Sequence, residues 1–265
     1  ALYNYLFKLN KKGKFVLRIE DTDRSRKVDG AEKYIYDVLD YYKIKVDEGP
    51  REGGEFGPYR QSERKEIYNK YIDLLIEKGL AYYCYASKEE LLNAREDKSF
   101  SYNSKTRMMF KNSLSLNEEE NLSLVKKKKY VVRLKVEADI ELRMTDLLRG
   151  DIKVNSNNLE DKILIKGDGL PTYHFANVVD DYLMKITTII RGEEWLPSLP
   201  IHKLIYDALG WEMPNTVHLP LILNPSGLGK LSKRDAIRNN YSIFPIKWKE
   251  LDGLKEKGLP ADVQL

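Results

Sequence analysis

From residue 173 to residue 223 the chain alternates helix, strand, helix, strand, and that order leaves few folds open to it. Residues 173–184 carry apolar side chains at helical spacing. Residues 186–191 are β-branched and read as a buried strand. Residues 197–209 read as a helix closed by Gly210, and residues 217–223 as a second strand. Strands joined through helices lie parallel in one sheet. In such a sheet, ligands sit outside the carboxyl ends of the strands.

The first eighty residues follow a related pattern. Residues 15–20 (Phe-Val-Leu-Arg-Ile-Glu) read as a strand, residues 31–42 as a helix, and the Gly- and Pro-rich residues 47–60 as a loop. Residues 62–78 read as a helix capped by Ser62, with a core stripe at Ile67, Tyr71, Leu74, Leu75 and Lys78, ending at Gly79. A strand at 81–85 follows, then the capping-box pattern Ser87-Lys88-Glu89-Glu90. Residues 97–129 are polar and read as a solvated loop ending in four lysines. Strands are predicted at 130–136, 151–154 and 162–165. The expected fold is therefore α/β: a Rossmann-type parallel sheet split by an α+β insertion. The pieces are 1–82 and 166–225 for the split sheet, 83–165 for the insertion, and 226–265 for a basic loop and the start of a helical region.

With 265 residues the chain can bury a sizeable core, and its net charge of +4 permits a polyanionic partner without demanding one. The single cysteine, Cys84, excludes an internal disulfide framework and suits a reducing, cytoplasmic setting. It reads as a small buried hydrophobe. No apolar run approaches the roughly 18 residues of a membrane span. The first residues lack the features of a signal peptide and read as a helix already under way, so the natural chain is expected to begin earlier.

Four constellations could carry chemistry. Glu20, Asp21 and Asp23 stand at the end of the first strand, where carboxylates can hold an amino group; Asp21 or Asp23 could equally cap the next helix. Tyr173 and Asn177 are four apart on one helix face and could present a phenol and an amide to a polar ligand, or belong to an ordinary amphipathic helix. Arg191 ends a buried strand and suits bidentate binding of a carboxylate, or a salt bridge to Asp180 or Asp181. Lys230-Leu231-Ser232-Lys233-Arg234, after a Gly-rich loop, could follow the charge of a departing polyphosphate, or be a solvated turn. The three histidines, His174, His202 and His218, match no zinc spacing, and His202 reads as structural.

Taken together, these segments resemble bacterial-type glutamyl-tRNA synthetase, a class I aminoacyl-tRNA synthetase. The matching stretches are residues 18–24, 52–64, 79–85, 168–184, 189–202, 218–223 and 230–234, in family order. The resemblance implies a Rossmann-type catalytic domain with an inserted domain that grips the tRNA acceptor end. It implies ligation of L-glutamate to tRNA(Glu) through a glutamyl-adenylate, using ATP with its Mg2+; tRNA(Gln) is the alternative acceptor. It implies a cytoplasmic monomer without a membrane segment. Glu20 would hold the α-ammonium of glutamate, and Tyr173, Asn177 and Arg191 would line its pocket. Glu194 and Trp195 would flank the ATP, and Lys230, Lys233 and Arg234 would meet its phosphates.

Three departures accompany the resemblance. The family's first strand and His-x-Gly-His-type loop do not occur, so these residues alone are expected to be inactive. Cys84 stands where some members begin a zinc site, but Ala86, Thr106 and Met108 replace its partners, so a cysteine-based site is not expected. Residues after Arg234 follow the family poorly. Two alternatives stand beside the synthetase: a truncated paralogue that glutamylates a modified tRNA base, and a non-catalytic tRNA-binding remnant.

Overall fold

The computed structural model describes residues 1–23, 30–127 and 129–223. Lys230, Lys233 and Arg234 lie outside them. Seven helices and seven strands are present among the described residues. The helices are α1 (Leu2–Lys11), α2 (Ala31–Tyr41), α3 (Lys65–Glu77), α4 (Lys88–Ala94), α5 (Glu118–Lys126), α6 (Tyr173–Leu183) and α7 (Leu199–Leu209). The strands are β1 (Ala81–Cys84), β2 (Val131–Leu134), β3 (Glu141–Asp146), β4 (Gly150–Asn155), β5 (Ile163–Ile165), β6 (Thr188–Gly192) and β7 (Asn215–Leu219).

β6 and β7 are parallel, with α7 as the crossover, as the alternation in the sequence requires. Gly210 ends α7 at φ 72°, a left-handed position that glycine takes without strain. The four-stranded sheet has the order β4-β3-β7-β6, with β3 parallel to β7 and antiparallel to β4. A second sheet, β1-β2-β5, is antiparallel throughout. The largest apolar core joins Tyr68, Ile72 and Leu75 of α3 to β1, β2, β5, α6 and α7.

Several expectations are corrected. Residues 15–20 form no regular strand. Leu17 N–H donates to the carbonyl of Glu48 (2.8 Å) and Ile19 N–H to that of Tyr59 (2.9 Å), so the segment makes only single bridges to two different partners. Ser62 does not cap α3. It lies in a 3-10 turn, Gln61–Glu63, and its N–H (2.8 Å) and hydroxyl (2.6 Å) both donate to Asp21. Asp21 thus holds a turn 41 residues away and does not cap the next helix, whose N-cap is Gly30. The α3 core face is centred on Tyr68, Ile72 and Leu75, with Ile67, Tyr71 and Leu74 of the expected stripe packed against it. Residues 97–129 contain α5, whose Asn117 cap accepts from Glu120 N–H at 2.9 Å. β3 was not expected at all.

The region between β1 and β5 is organised by a buried ionic knot. Asp161 is fully buried, accepts a hydrogen bond from Tyr82 Oη at 2.6 Å, and pairs with Arg107 Nε at 3.0 Å. Arg133 stacks on the Tyr102 ring, 3.9 Å from its centroid, and Tyr102 Oη lies 3.3 Å from Cys84 Sγ. Cys84 is buried in this aromatic cluster with Phe110.

Candidate functional site

A cleft of about 760 Å3 separates residues 15–18 from residues 185–191. Glu20, Tyr173, Asn177, Asp181, Arg191 and Trp195 are among its lining residues. Five of the side chains singled out in the sequence therefore meet in one cavity. Glu194 lies on the exposed 3-10 turn after β6, outside that lining.

Arg191 sits near the end of β6, which is the edge of its sheet among the described residues. Its Nε donates to His218 Nε2 (3.0 Å), its Nη1 to Tyr173 Oη (3.0 Å) and its Nη2 to the Trp195 carbonyl (3.3 Å). Two of the five N–H groups of a guanidinium have no partner among the described residues, one on each terminal nitrogen. No carboxylate among the described residues pairs with Arg191, so the alternative reading, a salt bridge to Asp180 or Asp181, does not hold. Those two aspartates are already engaged elsewhere.

Asp180 is fully buried. It accepts from Arg64 Nε (2.7 Å), Tyr68 Oη (2.8 Å) and Gln61 Nε2 (2.9 Å). Arg64 also donates to the carbonyls of Phe56 (3.2 Å) and Pro58 (2.8 Å), which ties the 47–60 loop to α6. Asp181 accepts from Arg18 Nη1 at 2.6 Å, and Arg18 Nη2 donates to Glu20 at 3.2 Å. Burial works against the charge on Arg18, but Asp181, Glu20 and Asp180 outweigh it and raise its pKa. Burial raises the Asp181 pKa, with Arg18 opposing. Glu20, Asp180 and Asp181 thus face Arg18 and Arg64, three acids against two guanidiniums. Of these, Glu20, Asp181 and Arg18 line the cleft, and Arg191 lines it as well.

Aromatic rings line the cleft beside Arg191. The Tyr173 and Trp195 ring centroids are 4.5 Å apart, and Tyr173 also touches the rings of His174 and His202. Burial raises the Tyr173 pKa, with the charge of Arg191 opposing, so its phenol stays protonated. His174 Nδ1 and His202 Nε2 lie 3.2 Å apart. Burial, then Lys162 and Arg191, lowers the His174 pKa to about 4; burial lowers that of His202 as well.

A histidine held neutral in the folded chain makes stability depend on acid. The unfolded chain takes up the proton near the ordinary 6.5, whereas the folded chain resists until about 4. The stability contribution is complete above pH 6.5 and is lost as pH falls toward 4, with a limiting slope of about 1.4 kcal/mol per pH unit. Urea unfolding at pH 7 and pH 5 tests this. His174→Phe is expected to flatten the slope, and an unchanged slope would show that His174 titrates freely.

Asp146 and His218 were missing from the predicted site. Asp146 alternates with Leu142 and Met144 on the buried face of β3, and its carboxylate lies 2.7 Å from His218 Nδ1. The alternation of buried and exposed residues in β3 was the available signal, hidden because one inward residue is an acid.

Among the described residues there is no group of three or more His, Cys, Asp or Glu side chains that could hold a metal ion, and no helix long and apolar enough to cross a membrane. Residues 1–255 match the family described as tRNA synthetases class I (E and Q), catalytic domain. The chain is 50% identical over 270 residues to a glutamate–tRNA ligase of Christiangramia forsetii, covering 97% of this chain and 54% of that protein. It is 52% identical over 263 residues to one of Cytophaga hutchinsonii, covering 94% and 50%. The crystal structure of a glutamate tRNA ligase from Elizabethkingia meningosepticum in complex with its amino acid superposes with a TM-score of 0.87 at 48% identity, over 92% of this chain and 50% of that one. The chain spans about half the length of the curated relatives it matches. With its parallel β6-α7-β7 unit and its cleft along the β6 edge, it belongs to the class I tRNA synthetases (E and Q), as their catalytic domain.

Proposed function

We propose that the protein containing this chain is a glutamate–tRNA ligase. The observation that carries the reading is the charge lining the cleft: Glu20 and Asp181 beside Arg18, together with Arg191, which has no carboxylate partner among the described residues. A free amino acid with an acidic side chain has the complementary charges. Glu20 receives its α-ammonium, and the two remaining N–H groups of Arg191 receive its side-chain carboxylate as a fork. Tyr173 and Asn177 line the space between. The relatives named above and the amino-acid complex of the E. meningosepticum protein support this assignment.

The reaction takes two steps. The α-carboxylate attacks the α-phosphorus of ATP, forming a mixed anhydride and releasing pyrophosphate. A terminal ribose hydroxyl of tRNA(Glu) then attacks the activated carbonyl, loses its proton and releases AMP. MgATP enters as substrate. Glu194 and Trp195 flank the nucleotide, and Lys230, Lys233 and Arg234 follow the charge onto the leaving pyrophosphate. No nucleophile on the enzyme is required, and rate arises from positioning and charge. Residues 83–165, between the two catalytic segments 1–82 and 166–225, supply the part that grips the acceptor end, while their strands β3 and β4 join the catalytic sheet beside β7.

The test is pyrophosphate exchange into ATP by the full-length protein. Exchange is expected with glutamate and cognate tRNA together. Exchange with glutamine instead overturns the amino-acid assignment, and no exchange with either leaves the non-catalytic reading.

A further inference from the structure

Arg191 is aimed by its neighbours on the sheet. It lies directly opposite His218 in the β6–β7 ladder, while Asp146 of β3 pairs with Thr216, two residues before His218. Residues two apart on a strand share a face. Asp146, His218 and Arg191 therefore form a row across three adjacent strands, β3, β7 and β6. Asp146 is 1% exposed and His218 0%, so neither group reaches solvent. Buried polar groups of this kind persist where each partner is matched.

The matching fixes one proton. Asp146 Oδ1 accepts three backbone N–H groups, from Leu148 (3.1 Å), Arg149 (3.0 Å) and His218 (3.3 Å). Its Oδ2 faces His218 Nδ1 at 2.7 Å. At the far side of the ring, Arg191 Nε can only donate, so His218 Nε2 must accept. The imidazole is then neutral with its proton on Nδ1, given to Asp146. The other tautomer would set two N–H groups against each other, 3.0 Å apart.

We infer that Asp146 and His218 are a positioning pair: the carboxylate fixes the imidazole tautomer, and the imidazole lone pair aims the Arg191 guanidinium at the side-chain carboxylate of the substrate. The inference rests on the glutamate reading of the site. Neither residue touches substrate; both act through Arg191.

Asp146→Asn tests it at constant volume. The three backbone N–H groups hold the asparagine oxygen at the Oδ1 position, which turns the amide NH2 toward His218 Nδ1. The ring must accept there and carry its proton on Nε2, facing the Arg191 donor. The guanidinium then rotates out of register. In the full-length enzyme, KM for glutamate is expected to rise about 10- to 100-fold, with KM for ATP within about twofold of wild type. The 15N shifts of His218 report the tautomer independently: Nδ1 protonated in the wild type, Nε2 protonated in D146N. Wild-type His218 protonated on Nε2 overturns the inference, whether or not D146N folds. So does a D146N enzyme whose KM for glutamate is unchanged, or rises no more than that for ATP. Failure of the glutamate reading is separate: it appears as wild-type enzyme that does not use glutamate.

Discussion

Arg191→Ala is expected to lower kcat/KM for glutamate by about 100- to 1,000-fold in the full-length enzyme, with KM for ATP little changed. Removing one partner of a hydrogen-bonded charge pair in a partly buried site costs about 2–5 kcal/mol, because the other charge is left without a counterion. Here that other charge is the substrate carboxylate, so the loss falls on the amino acid and leaves the nucleotide alone. Arg191→Lys should recover little. An ammonium is a point charge and cannot donate at once to His218, Tyr173 and both oxygens of a carboxylate. Steady-state kinetics with each substrate varied in turn decides the matter. Equal losses for glutamate and ATP, with a lower Tm, would mean that Arg191 supports the fold and not the pocket.

The second large effect is on stability. Asp180→Ala should destabilise the chain by about 3–5 kcal/mol, because it strands a buried guanidinium. Arg64 has a side chain only 1% exposed, and its Nε has Asp180 as its carboxylate partner at 2.7 Å. Tyr68 and Gln61 lose the same acceptor. The urea midpoint should fall with little change in the slope. The double variant Arg64→Ala with Asp180→Ala should cost less than the sum of the two single changes, since neither charge is then left alone. Additive losses would show that the two residues stabilise the fold separately. A loss under about 1 kcal/mol would mean that water replaces the carboxylate.

Much of this site was legible in the sequence. Glu20, Tyr173, Asn177 and Arg191 stood out by residue type and position and were assigned through the family resemblance, and they line one cleft. The reason is topological: ends of strands and starts of helices in an α/β sheet converge, so a polar residue at such a place faces its counterparts. What stayed hidden depends on partners distant in sequence. Asp180 and Asp181 were the alternative partners read for Arg191. Nothing in the local pattern says that Arg18 and Arg64 claim them first, across 163 and 116 residues. β3 was overlooked because Asp146 breaks the apolar alternation, although the acid is what fits that strand to its place beside His218. The extended segment 15–20 was read correctly as extended and wrongly as a ladder strand, because its hydrogen bonds go to two separate segments. α5 lay under a composition that favours loops, and its local signal was the asparagine cap three residues before Glu120.

Helix α6 has a consequence for how this protein tolerates change. Every residue from Phe175 to Asp181 is buried, so the helix has no solvent face over two turns. A surface helix, scanned by random substitution, returns a permissive position every three or four residues. This one should return an unbroken block of seven intolerant positions. Four of them fail through packing, at Phe175, Ala176, Val178 and Val179, and three through lost polar partners, at Asn177, Asp180 and Asp181. Drift in this segment is expected to need paired changes on α3 or near Arg18.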